Sequence, residues 1–290
     1  MAESLRAAHP GLEVEVHTVQ TRGYKDQRAF TAIGGKGLFV AEVEQAVVDG
    51  RADIAVHSAK DLTAELAPGC SIVCVPERAP AHDVIVGAPS LEEVPSGAVI
   101  GTSSMRRRAL LAETRPDLDA VEFRGNLDTR LRKVEEGVVD AAILAAAGLQ
   151  RRGIAAGSPI DPARWVPAPG QGALAIEARS DRDDLRELLA PLDDAASAAE
   201  LACERAFSAR LEGGCSVPLG CLARAVNGKL TVVGFLGCPD GSQGLRDRIA
   251  GPLSAAADLG HDLADAIYGS GGSDILDELR TIDPPAPSAP

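Results

Sequence analysis

The chain has 290 residues, 45% hydrophobic and only 3% aromatic, and carries a formal net charge of −13. This allows a sizeable core spread over two or three domains and packed with Ala, Val, Leu and Ile. It argues against nucleic-acid binding, and neither an apolar run of ~18 residues nor a basic, apolar leader after Met1 marks a membrane span or an export signal.

Hydrophobic periodicity predicts a strand over 14–19, a helix over 38–48 ending near Gly50, and a short buried strand over 53–57. Cys70 and Cys74 fall in an apolar run that reads as one face of a further strand. Strands follow at 98–101, 120–123 and 141–144, with helices over 105–114 and 127–136, the latter stopped by Gly137. The Pro-Gly-rich stretch 165–172 marks a crossing between domains, and 174–177 reads as a strand returning to the first sheet. This is α/β patterning with mostly parallel sheets.

A different pattern opens with a helix over 195–210. Asn227-Gly228 joins two alternating runs, a hairpin signal, and Pro239-Asp240-Gly241-Ser242 makes a second turn. The last third is therefore a small antiparallel sheet with helices over 259–268 and 274–281, and the tail from about 284 is expected to be disordered. Without an export signal, the cysteines at 70, 74, 203, 215, 221 and 238 read as reduced thiols of a cytoplasmic protein. No pair has the spacing and histidine company of a zinc site.

In open α/β sheets, ligands bind beyond the carboxyl ends of strands. Three polar groups lie at such ends: His57-Ser58-Ala59-Lys60-Asp61, Thr102-Ser103-Ser104-Met105-Arg106-Arg107-Arg108, and Arg124-Gly125-Asn126 with Arg130 one turn into the next helix. Arg151 follows the 141–144 strand in the same sense. Five of the 29 basic residues are lysines and the rest arginines, the residue suited to bidentate recognition of carboxylates. Taken singly, each group also reads as structural: a solvated Lys60–Asp61 pair, or one exposed helix face for the triple arginine. Four basic clusters at strand ends in one half of the fold describe a cleft for a ligand with many carboxylates.

Two glycine-rich loops add to this. Ile33-Gly34-Gly35-Lys36-Gly37-Leu38-Phe39 lacks the spacing of a Walker loop. It reads either as an ordinary loop before a helix or as a hinge bringing Lys36 to an anion, with 24–28 as a lid segment. Arg210-Leu211-Glu212-Gly213-Gly214-Cys215-Ser216-Val217-Pro218 presents one thiol on a glycine-hinged loop after a long helix, or else a helix end followed by an inert buried cysteine.

Together with Thr21-Arg22-Gly23, Gly101-Thr102-Ser103-Ser104-Met105-Arg106-Arg107, Gly170-Gln171-Gly172-Ala173 and the segment from Ala52 through Asp61, these loops resemble, in order and spacing, the porphobilinogen deaminase (hydroxymethylbilane synthase) family over nearly the whole chain. The resemblance implies two type II periplasmic-binding-protein-like lobes and a small α+β C-terminal domain. Lobe 1 spans 1–77 and 172–192, lobe 2 spans 78–171, and the cofactor-attachment domain spans 193–290. It implies a dipyrromethane cofactor joined to Cys215 through a thioether, a bond that suits a soft thiol nucleophile. The implied reaction is stepwise condensation of four porphobilinogen molecules with loss of ammonia, then hydrolysis to release hydroxymethylbilane. This is a cytoplasmic transferase step of tetrapyrrole and haem biosynthesis carried out by a monomer.

On the same resemblance Asp61 is the main catalytic group, stabilising the azafulvene cation formed as ammonia leaves, with Lys60 beside it. Lys60, Ser58, Thr102, Ser104, Arg106, Arg107, Arg124 and Gly125 fall to the cofactor. Arg130, Arg151, Phe39, Lys36 and Gln171 fall to the substrate. The chain departs from the family pattern in lacking the N-terminal strand and part of the first helix, which reads as a truncated start. It also carries Tyr24 and Ala32 where members often have Asp and Lys. A non-catalytic polycarboxylate-binding protein and an inactive truncated homologue are the alternative readings.

Overall fold

The computed structural model describes residues 1–19, 40–213 and 217–282. A short helix α1 (Ala2–Ala8) leads into an extended segment, and α2 (Ala41–Val48) precedes β1 (Ala55–Ser58) and β2 (Cys70–Cys74). Next come β3 (Asp83–Val86), β4 (Val99–Gly101), α3 (Met105–Thr114), β5 (Asp119–Val121), α4 (Leu127–Glu135), β6 (Ala141–Ala145), α5 (Ala146–Arg151) and β7 (Ser158–Pro159). The chain then crosses back to β8 (Leu174–Arg179) and continues through α6 (Asp183–Leu189) and α7 (Ala195–Arg210). β9 (Leu219–Val226), β10 (Lys229–Gly237) and β11 (Gly244–Pro252) form a meander, closed by α8 (Ala256–Ile267) and α9 (Ser273–Ile282).

The strands form three sheets, in the orders β1-β8-β2, β5-β4-β6-β3-β7 and β11-β10-β9. The α/β class and the antiparallel C-terminal sheet agree with the sequence reading. The expected predominance of parallel pairing does not hold: β4 runs parallel to β5 and β6, while β8 lies antiparallel to β1 and β2, and β3 antiparallel to β6 and β7. The cause is the route of the chain. β3 and β8 each follow a segment that crosses from one sheet to the other, and each enters its new sheet running against its neighbours.

Three local expectations also change. Residues 14–19 are extended but join no sheet, and Val16 is 70% exposed; alternation alone does not make a strand without a neighbour to accept its ladder bonds. The strand predicted at 53–57 starts at Ala55 and alternates in burial rather than being buried throughout. In β2 the register shifts between Ile72 and Cys74 against β8. A bulge of this kind turns the next side chain to the other face. Cys74 therefore packs with Leu5, Ile176 and Leu189, while Cys70 faces Glu177.

The hairpin reading holds in detail: Asn227 and Gly228 take φ of 50° and 74°, as a two-residue turn with the right twist requires. The C-terminal sheet is not a separate bead. Leu222 and Phe235 share a core with Ile85 and Ile100 of the second sheet, Leu110 of α3 and Trp165 of the crossing segment, and Leu201 of α7 packs with Ala175 of β8 and with Ala59 and Val75 just past β1 and β2. Gly241 lets the β10–β11 turn press on α3; a Cβ there would lie 2.6 Å from the Ala112 carbonyl carbon and the Glu113 nitrogen. Arg246 pairs with Glu113 beside it.

Gly228 has the same sign of φ but open space around it. Gly228→Ala should therefore cost only the left-handed backbone strain, about 1 kcal/mol. Gly241→Ala should cost about 3 kcal/mol, because strain and backbone crowding add. Equilibrium urea unfolding of the two variants checks the difference, and equal losses would contradict this docking.

Candidate active site

Strand β1 ends in a tight turn, Ala59–Asp61, that puts Lys60 and Asp61 at the carboxyl edge of the first sheet. The Ala59 nitrogen donates to the Ala173 carbonyl at 3.1 Å. Gly170, at φ 73°, backs the turn so closely that a Cβ would stand 2.9 Å from the Ala59 carbonyl carbon and the Lys60 nitrogen. Ser58, half-buried, closes β1 opposite Leu174. Behind the turn, His57 Nε2 lies 2.8 Å from Oε2 of the fully buried Glu177.

At the end of β4, the hydroxyls of the Thr/Ser run organise the backbone. Thr102 Oγ1 accepts from the Ser104 nitrogen, Ser103 Oγ from the Phe123 nitrogen, and Ser104 caps α3 by accepting from the Arg107 nitrogen. Each hydroxyl keeps its own proton to donate. The first turn of α3 then drives Arg106 and Arg107 inward. Both are buried, and both reach the same carboxylate, Asp83 at the start of β3. Arg106 Nη2 meets Oδ2 at 2.9 Å and Arg107 Nη2 meets Oδ1 at 2.7 Å. The Trp165 indole donates to Oδ2 at 2.9 Å and Gln171 Nε2 to Oδ1 at 2.8 Å. Gln171 Oε1 accepts from Lys60 Nζ at 3.4 Å, so the Lys60 turn and the arginine pair meet through one glutamine.

Burial alone would raise the Asp83 carboxyl, but Arg106 and Arg107, with hydrogen bonds from Arg107 and Gln171, hold it far below the usual carboxylate range. Arg106 is pushed the other way, down, by burial first; Asp83 opposes this and Arg107 adds to it. The opposite senses have one cause. Two buried cations share one anion, and because a guanidinium stays charged regardless, the cluster carries surplus positive charge. Lys60 keeps exposed surface. Desolvation lowers its ammonium, with Asp61 opposing and Arg107 adding to the effect.

Arg130, one turn into α4 behind the Asn126 cap, is likewise disfavoured as a cation by burial and by Arg107. Arg151, at the end of α5, donates to the Gly172 carbonyl at 2.7 Å. Lys60, Gln171, Arg106, Arg107, Arg130 and Arg151 thus come together. Arg124 instead pairs with Glu122 at 2.5 Å. Gly125, at φ 121°, has a backbone reason for its identity, since a Cβ would meet Thr129 at 2.8 Å. Lys36, Phe39 and Cys215 lie outside the described residues.

Asp83 was missed in the sequence reading. Its signal is a lone acid heading an apolar strand, Asp83-Val84-Ile85-Val86, which has to be paired if it is buried. The arrangement also has unspent capacity. The Nε–H groups of Arg106, Arg107 and Arg130 are closed off from bulk solvent and have no partner among the described residues. A polycarboxylate would answer both the donors and the surplus charge.

Two family models cover most of the chain: "Porphobilinogen deaminase, dipyromethane cofactor binding domain" over residues 1–187 and "Porphobilinogen deaminase, C-terminal domain" over 198–269. The chain belongs to the porphobilinogen deaminase family. Curated relatives named porphobilinogen deaminase, from Roseiflexus sp. (strain RS-1) and Roseiflexus castenholzii, are 47% and 46% identical over 279 residues, 94% of this chain and 92% of each relative. Among solved structures it is similar to the periplasmic VFT2 domain of Bordetella pertussis BvgS (TM-score 0.37, 18% identity, 65% of this chain and 72% of that one). It is also similar to a periplasmic sulfonate-binding protein SsuA from Methylobacillus flagellatus (TM-score 0.32, 16% identity, 57% and 50%). As a porphobilinogen deaminase it is a transferase of tetrapyrrole biosynthesis with a dipyrromethane cofactor, and the unpartnered guanidinium donors fit such an acidic group. No helix among the described residues is long and apolar enough to cross a membrane.

Asp83→Asn should destabilise the porphobilinogen deaminase fold by about 3–5 kcal/mol at neutral pH, because two buried guanidiniums lose their counter-charge. A depressed carboxyl contributes fully above its unfolded pKa of ~3.9 and progressively less as pH falls below that value. Parent and variant stabilities should therefore converge on acidification below pH ~4. Denaturant midpoints measured from pH 7 to pH 2 check this, and a constant offset would contradict it.

Proposed function

We propose that the chain elongates its primer in the cleft between two lobes, 1–77 with 172–192 and 78–171, and that 193–290 is the cofactor-attachment domain. It is proposed to act as a cytoplasmic monomer without nucleic acid. The observation that carries the reading is the cluster of three solvent-excluded, unpartnered guanidinium Nε–H groups beside the Lys60–Asp61 turn. Dipyrromethane, when bound, supplies a covalent two-pyrrole primer whose free end is extended.

The protein's part is to bind, orient and move protons. Arg106 and Arg107 meet acetate and propionate groups of the cofactor with the N–H donors left over after each Nη gives one bond to Asp83, the Val166 carbonyl or the Ile143 carbonyl. Ser58, Thr102, Ser104, Arg124 and Gly125 line the cofactor's side of the cleft. Arg130, Arg151, Lys36, Phe39 and Gln171 serve incoming porphobilinogen. Asp61 stabilises the positive charge that develops as ammonia leaves the aminomethyl arm and accepts or relays pyrrole protons. Lys60, next to it, keeps the local balance positive toward substrate carboxylates.

Cys215 is assigned as the attachment thiol. The five cysteines among the described residues support this by their inertness. Burial pushes Cys70 up to about 11 and Cys74 and Cys203 up to about 12, and raises Cys221 and Cys238 as well; a thiol so shifted has little thiolate at neutral pH.

The intact mass of the purified protein should exceed the chain mass by a two-pyrrole adduct. The excess should vanish in Cys215→Ser and persist in Cys203→Ser, Cys221→Ser and Cys238→Ser. No excess in a folded parent would remove the attachment reading. Asp61→Asn should keep the adduct and the fold while turnover falls by about a hundredfold or more; turnover near the parental rate would remove Asp61 from its role.

A further inference from the structure

Glu204 lies on α7, fully buried and apart from the strand-end clusters. Each of its oxygens accepts two hydrogen bonds. Oε1 takes Arg78 Nη1 at 2.7 Å and the Ala223 nitrogen at 2.8 Å. Oε2 takes Arg78 Nη2 at 2.9 Å and the Gly170 nitrogen at 2.6 Å. Arg78 also donates through Nε and Nη2 to the Gln171 carbonyl, at 3.0 and 2.9 Å. One carboxylate therefore joins helix α7, strand β9 and both segments that cross between the first two sheets.

What it holds is adjacent to the proposed chemistry. Gly170 is the residue packed against the backbone of Ala59 and Lys60. Gln171, whose carbonyl Arg78 grips, reaches Lys60 Nζ and Asp83 with its side chain. α7 ends at Arg210, five positions before Cys215 in the sequence. Neutralising Arg78 does not call for the backbone bonds, since the bidentate pair and Glu200, which accepts from Nη1 at 3.1 Å, already supply two carboxylates. The bonds from Gly170 and Ala223 are directional and set where the crossing segment sits relative to α7.

We infer that Glu204 is a positioning residue, fixing the Lys60–Asp61 turn in register with the helix that leads to Cys215. This rests on the roles proposed for Asp61 and Cys215. A displacement of about 1 Å between reacting groups can cost up to about a hundredfold in rate, so a clamp two contacts behind the turn is well placed to govern turnover without touching substrate.

The test uses holoenzyme carrying Glu204→Gln, mixed with porphobilinogen and followed by intact mass. The variant is expected to carry the two-pyrrole adduct. Its whole population should add the first ring about tenfold more slowly than the parent, with KM within about twofold. A population split into a fraction reacting at the parental rate and an inert remainder would reduce Glu204 to a folding role. A parental rate throughout would overturn the inference. If Glu204→Gln does not fold, Gly170→Ala leaves Glu204 and Arg78 untouched while pressing on the same turn; it too should slow the whole population, and a parental rate would overturn the clamp. Asp61→Asn, run alongside, separates the two readings: a fast Asp61→Asn contradicts the proposed chemistry, whereas a fast Glu204→Gln with a slow Asp61→Asn contradicts only the positioning role.

Discussion

The structure of the cleft depends on one buried carboxylate. Asp83 has no exposed surface and takes hydrogen bonds from Arg106, Arg107, Trp165 and Gln171. An unpaired ion in that position would cost several kcal/mol; a carboxylate with two guanidiniums, an indole and an amide is satisfied. The reverse holds less well. Two guanidiniums with a single counter-charge retain positive charge, and their Nε–H groups are left over. The cluster thus keeps N–H donors with no partner among the described residues, beside positive charge that an anion would offset.

The same cluster explains why the crossing segments are so constrained. Gly172 lies against the Ala79 carbonyl, where a Cβ would stand at 2.4 Å, and Gly170 lies against the Lys60 turn. Both take positive φ, so any side chain would meet strain as well as crowding. The crossings are therefore not passive linkers. They form the wall on which the first sheet's Lys60, the second sheet's Asp83 and α7 are brought into register. The antiparallel entry of β3 and β8 follows from the same geometry, because each starts at that wall and runs away from it.

Much of this was legible in the sequence, because local rules govern it. Asn227-Gly228 reads as a hairpin turn and is one, and the Thr/Ser run and Arg124 read as groups following strands and stand after β4 and β5. What failed was nonlocal. Whether 14–19 is a strand depends on a neighbour, which alternation does not report. The opposite facing of Cys70 and Cys74 depends on a one-residue slip against β8. Asp83 carries no motif, and its importance appears only when α3 and the crossing segment deliver four donors to one point. Arg106 and Arg107 were read as ligand contacts, yet each spends two of its five N–H donors inside the protein. The sequence pattern identifies the charge, but only the packing shows which edge of each guanidinium remains free.

Charge distribution ties the fold to its chemistry. The chain carries a net charge of −13, a field that repels polycarboxylates from most of its surface. Many arginines are neutralised where they stand, as in the exposed pairs of Arg179 with Asp181, Arg182 with Asp184 and Arg152 with Asp128. Such pairs add little stability, but they cancel positive charge outside the cleft. Around Asp83, by contrast, two buried guanidiniums share one carboxylate. The same separation governs the thiols. Every described cysteine is buried or half-buried with its thiol raised, so packing withdraws these thiols from nucleophilic chemistry.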